Sequence, residues 1–151
     1  MPVVYLPDAH HVIRYVPWSR LRKDEDDHVI GVLGAAFRLR ESEEYLSATW
    51  AEYFASARPE FIVAAAMAIR ASNVTVTPRS GFAIGNVGKI KETCLANERK
   101  HKVRIIHEEE DDNKAHTALR QWPRDNDPLL ELIAADVWNE VVLNRDVPDA
   151  R

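Results

Sequence analysis

Short runs with a two-residue apolar repeat alternate along the chain with short runs of helical repeat, and neither kind lasts long. Val12, Ile13, Tyr15 and Val16 are strand formers that stop at Pro17, so the first run reads as a strand. A polar turn, RLRKDEDD at residues 20–27, leads to VIGVLGAAFRLR at residues 29–40. There Leu33, Ala35, Phe37 and Leu39 fall on one face and Arg38 and Arg40 on the other, which predicts a strand with one face on the core and one in water. A third extended piece, residues 45–48, runs into Thr49-Trp50-Ala51-Glu52. That spacing is a capping box, and it predicts a helix from Trp50 to about Ala57. A second helix is expected near Pro59, with Phe61, Ile62, Ala65, Ala68 and Ile69 on one stripe.

Residues 74–77 (VTVT), the turn Pro78-Arg79-Ser80-Gly81 and residues 82–85 (FAIG) read as a β-hairpin. Asn86 should cap the next helix, where Val87, Ile90, Cys94 and Leu95 keep helical spacing. Residues 103–106 form a strand that ends in an acidic run, and residues 115–122 (AHTALRQW) fit either a strand or a helical turn. The last helix is expected to be capped by Asp127 and opened by Pro128, to carry Leu130, Ile133, Val137, Trp138 and Val141, and to end near Asn144. Residues 146–151 should fray.

Strands and helices in mixed order with short connections predict an α+β protein. The expected architecture is a single mixed, largely antiparallel sheet of about five or six strands, with helices packed mainly on one face and residues 1–151 forming one domain. Composition agrees: the chain is 46% hydrophobic and 29% charged, ordinary for a folded domain of this length. A net charge of −4 gives no global attraction to nucleic acid or to an anionic membrane. The single cysteine, Cys94, excludes an intramolecular disulfide and a cysteine-rich zinc site. Neither a signal-peptide pattern nor an apolar run of membrane-spanning length is seen, so a soluble, cytoplasmic, bacterial-type protein is expected.

Candidate chemistry concentrates in HEEEDDNKAH, residues 107–116. His107, His116 and Asp112 are ligand types that suit Zn²⁺, Mn²⁺ or Fe²⁺. Their spacing does not converge on one face of a helix or strand, and five adjacent acids repel one another where water cannot screen them. The expectation is an exposed acidic connection without metal, with His107 as the residue most able to turn inward. His10 and His11 point to opposite sides if extended, and could reach His107 or His116 only across strands. Cys94 sits on an apolar stripe, where a thiol is inert.

The basic stretches 9–23 and 86–106 hold Arg20, Arg22, Lys89, Lys91 and Arg104. Together with Trp18 they could form an anion or nucleic-acid patch if the fold brings them together. No complete phosphate loop, nucleophile elbow or metal motif is present, so no catalytic residue and no cofactor are assigned. Charge is segregated: residues 86–106 sum to +4 and residues 121–151 to −4. The leading expectation is therefore a non-catalytic binding or accessory protein acting through a protein partner, with no membrane contact. The alternatives are a small metal-dependent hydrolase or nuclease using the His107–His116 stretch, and a nucleic-acid-binding module using the two basic stretches.

Overall fold

The computed structural model describes residues 2–148. Its centre is β1 (His11–Val16), where apolar residues on both faces mark a strand covered on two sides. β1 lies between β4 (Tyr45–Trp50) and β5 (Gly81–Asn86). Outside these lie β7 (His116–Arg120) and β6 (Arg104–His107) on one side, and β8 (Glu140–Leu143) on the other. The six strands run in the order β6-β7-β4-β1-β5-β8, and every neighbouring pair is antiparallel. A separate two-stranded ribbon pairs β2 (Leu21–Lys23) with β3 (Val29–Val32).

The sheet divides the core into two clusters. On one face Val12, Val16, Leu46, Ala83 and Leu119 pack against α2 (Val87–Ala96) and α3 (Asp127–Asp136). On the other, Ile13, Phe82 and Ile84 pack against α1 (Glu60–Arg70) through Phe61, Ala65 and Ile69. The fold is thus α+β with a large antiparallel sheet. Among the described residues no helix is long and apolar enough to cross a membrane.

Several local expectations hold and others change. Asn86 caps α2 as its sequence position implies, accepting the Lys89 amide at 2.9 Å. Residues 116–120 are strand, which resolves the ambiguity at AHTALRQW. The alternating run at residues 29–40 is a strand only to Val32. From Gly34 to Phe37 it winds into a 3-10 turn, because the Gly34 amide donates to the Glu131 carboxylate at 2.8 Å and the Phe37 ring stacks on Trp138.

The helix expected from Trp50 is absent, since β4 continues through Thr49 to Trp50 and only a 3-10 turn, Ala51–Tyr53, follows. Glu52 does not reach back to Thr49; its carboxylate takes the His11 amide at 2.8 Å and the His11 ring Nδ1 at 2.6 Å. Residues 74–77 form no strand, because β5 is already paired on both edges, with β1 and β8. The last helix stops at Asp136, with Asn126 at its N-cap, and Val141 belongs to β8. Of the tail expected to fray, residues 146–151, Asp146 closes a 3-10 turn, Asn144–Asp146, and residues 149–151 lie outside the described residues.

Candidate functional site

The sheet is nearly split down its middle. β1 pairs with β5 over six residue pairs and β4 with β7 over five, but β1 meets β4 only at Val12↔Trp50 and Ile13↔Thr49. Past Ile13 and Thr49 the two strands part. Backbone carbonyls facing such a gap need donors from elsewhere, and Arg14 supplies them. Its Nη1 donates to the Ser47 carbonyl at 2.7 Å and its Nε to the Ala36 carbonyl at 3.0 Å. One guanidinium therefore bridges the opening in place of a ladder.

A cleft of about 790 Å³ opens over this split. Its floor holds Arg14, Ser47 and His116; one lip is residues 72–75 after α1, and the other is the β6–β7 hairpin at Glu110, Asp112 and Asn113. The lips touch where the Asn73 amide donates to Asp112 Oδ2 at 2.8 Å. Arg20, Arg38 and Arg40 line the cleft as well, opposed by Glu43, Glu110 and Asp112.

Arg14 is half-buried as a residue, because the cleft reaches it, but its guanidinium lies deep. Burial pulls its pKa down to about 10; Glu43 partly offsets this and Arg40 adds to it. The group remains charged at neutral pH. Among the described residues no carboxylate lies within ion-pair distance of it. Two of its N–H groups are used on carbonyls, and a guanidinium has five. The rest have no protein acceptor among the described residues. A deep cation without a bonded counter-ion is unfavourable unless an anion completes it.

Beside Arg14 lies a polar row on β4 and β7. Antiparallel register places Thr49 opposite His116 and Ser47 opposite Ala118, so the side chains of Ser47, Thr49 and His116 share one face. His116 is 5% exposed; its Nδ1 lies 2.8 Å from the Glu108 carbonyl and its Nε2 3.2 Å from Ser47 Oγ. Glu110 Oε1 is 3.7 Å from Nε2. Asn113 donates to Thr49 Oγ1 at 2.9 Å and accepts the Ala115 amide, which fixes the hairpin over the row.

The residues singled out in the sequence are dispersed. His116 is in the cleft and Asp112 on its lip. His107 ends β6, packs its ring against Trp50 and Tyr53, and donates through Nε2 to the Lys114 carbonyl at 2.8 Å. His107, His116 and Asp112 do not form a group of metal-ligand spacing; among the described residues only the exposed Asp24, Asp26 and His28 do. The acids of the hairpin splay at its tip, where Glu109, Glu110 and Asp111 are exposed, while Asn113 and His116 turn inward. His10 accepts the Trp50 indole N–H, and His11 is held by Glu52.

Of the basic residues, Arg20 joins the cleft, Arg22 pairs with Glu131, Lys91 with Asp8, and Arg104 bonds the Tyr5 hydroxyl, while Lys89 is exposed at the start of α2. Cys94 is fully buried and burial pushes its thiol up to about 12. Arg14 and Ser47 were missed as site residues, although one signal was there. In VIRYV, the two-residue repeat sets Arg14 on the same side as Val12 and Val16, and an arginine on an apolar strand face is a buried cation needing a reason.

No protein-family model, curated protein or solved structure matches the chain.

Proposed function

We propose that this chain is a binding protein whose split-sheet cleft receives a small molecule through a negatively charged group, a phosphate or a carboxylate. One observation carries the reading: Arg14 is a deep cation with free donors, no bonded carboxylate and an open path to solvent. Planar bidentate recognition of an oxyanion is what a guanidinium does best. Arg20, at the mouth of the same cleft, adds long-range attraction for an anion. The charge segregation that favours a protein partner gives weaker support, since Arg22 and Arg38 pair with Glu131 and Asp127 of α3 within the chain.

The test is thermal unfolding of the full chain with inorganic phosphate, pyrophosphate and citrate, each titrated at constant ionic strength. Saturating ligand stabilises by about 2.7 kcal/mol at a hundredfold excess over Kd, so Tm should rise with dose for at least one of the three. The rise should vanish in Arg14→Gln, with folding of the variant confirmed by circular dichroism. No dose-dependent rise in the wild type, or an equal rise in the variant, overturns the reading.

A further inference from the structure

The contact between His116 and Ser47 has a direction. A backbone carbonyl can only accept, so the 2.8 Å contact between His116 Nδ1 and the Glu108 carbonyl places a proton on Nδ1. In the neutral ring Nε2 is then a bare acceptor, and the Ser47 hydroxyl 3.2 Å away donates to it. That is the arrangement of a nucleophile and its general base, with a third group orienting the base from behind. The surroundings agree. His116 is buried, so its ring is held in place, whereas Ser47 is only half-buried and faces the cleft. The Arg14 guanidinium is bonded to the backbone carbonyl of Ser47, and Arg14, Ser47 and His116 line the same cleft.

We infer that Ser47 and His116 form a catalytic dyad for acyl transfer, acting on carboxylic esters that carry a negatively charged group. Ser47 Oγ attacks the ester carbonyl carbon and forms an Oγ–C bond while its proton passes to His116 Nε2. The C–O bond to the leaving alcohol then breaks, and His116 returns the proton to the departing oxygen. Water, deprotonated by the same Nε2, cleaves the acyl-serine and restores both groups. Arg14 positions the substrate by holding its anionic group. The choice of an anionic ester rests on the anion-binding reading of the cleft; the dyad itself does not.

The experiment uses the full chain and two probes. A neutral dialkyl fluorophosphate reports on the dyad: Oγ–P forms, P–F breaks, and fluoride leaves as His116 takes the hydroxyl proton. Intact mass and peptide mapping should show one adduct, at Ser47, absent in Ser47→Ala. In His116→Asn the amide can still donate to the Glu108 carbonyl but no base faces Ser47, so labelling should slow by about 100-fold or more. No adduct, an adduct elsewhere, or equal labelling of a folded His116→Asn overturns the dyad. The first two outcomes need no variant to fold.

Hydrolysis of mono-(p-nitrophenyl) succinate against p-nitrophenyl butyrate reports on the substrate. The anionic ester should be preferred by about tenfold or more in kcat/KM, a modest charge-pair preference, and Arg14→Gln should erase the preference. Equal rates on the two esters overturn the substrate class. Labelling at Ser47 without any anion-dependent rise in Tm would show the dyad standing and the anion reading failing; a rise in Tm without labelling would show the reverse.

Discussion

Replacing Trp138 by alanine is the most direct test of how the split sheet is supported from behind. Trp138 is fully buried, stacks on Phe37 with ring centroids 4.6 Å apart, and meets Trp122 edge-on at 6.1 Å. Its indole N–H donates to the Ala83 carbonyl at 3.0 Å. Removing such a ring costs about 3–5 kcal/mol in transfer and cavity terms. The lost hydrogen bond to the Ala83 carbonyl adds about 1 kcal/mol. A loss of about 4 kcal/mol lowers Tm by roughly 8–16 °C at this chain length.

Gly85 sharpens the test. A Cβ there would stand 2.8 Å from Trp138 Cγ and 3.1 Å from Ile90 Cδ1, and no glycine in the described chain has positive φ. It is the missing side chain, not backbone freedom, that the position requires. Gly85→Ala should therefore cost about 1–3 kcal/mol by overpacking, and distinctly less in a Trp138→Leu background. Thermal and urea unfolding of Gly85→Ala, Trp138→Leu and their double variant give the coupling. A Trp138→Ala melt within about 3 °C of wild type, below the shift that 2 kcal/mol would produce, would refute the packing argument, and strict additivity of Gly85→Ala with Trp138→Leu would refute the contact.

The Arg120 guanidinium, bonded to Glu108 through Nε at 2.6 Å and Nη2 at 2.7 Å, holds that carboxyl below its ordinary pKa. A depressed carboxyl stabilises above its unfolded pKa and loses that contribution as pH falls through the folded one. Both side chains are about one-third exposed, so the effect is under about 1 kcal/mol. Wild type should be slightly more stable than Glu108→Gln near neutral pH, and the gap should narrow as pH falls below the ordinary carboxylate range; a gap independent of pH counts against the pair. Cys94, with its thiol pushed up to about 12 by burial, should resist iodoacetamide in the native protein and react once unfolded; native alkylation at the rate of a free thiol would contradict its placement.

What the sequence shows well is local. β1, α1 and the Asn86 cap follow from periodicity and cap chemistry, which depend only on neighbours in the chain. What it hides comes from partners far along the chain. The capping-box spacing at Thr49 and Glu52 is satisfied from outside, by Asn113 on one residue and His11 on the other. Gly34 to Phe37 turn because Glu131 and Trp138 hold them, and neither is visible in the alternation of Leu33, Ala35, Phe37 and Leu39. The site is hidden for the same reason. His116 stood out by composition, but Ser47 and Arg14 became its neighbours only through strand register and the parting of β1 from β4.

That parting also governs how the molecule must assemble. One half of the sheet is β1, β5 and β8, and the other is β4, β7 and β6. In chain order the backbone enters the first half at β1, leaves at β4, returns at β5, leaves again at β6 and β7, and returns at β8. Neither half is a continuous stretch of sequence, so neither can form as an independent unit while the other is unmade. Contacts of long sequence separation must be closed before either wall exists, which makes folding slow for the chain's size and strongly all-or-none. Arg14, Ser47 and His116 come from three strands spread over both halves. The cleft therefore cannot precede the fold: the strands that carry Arg14, Ser47 and His116 come together only when both halves are in place.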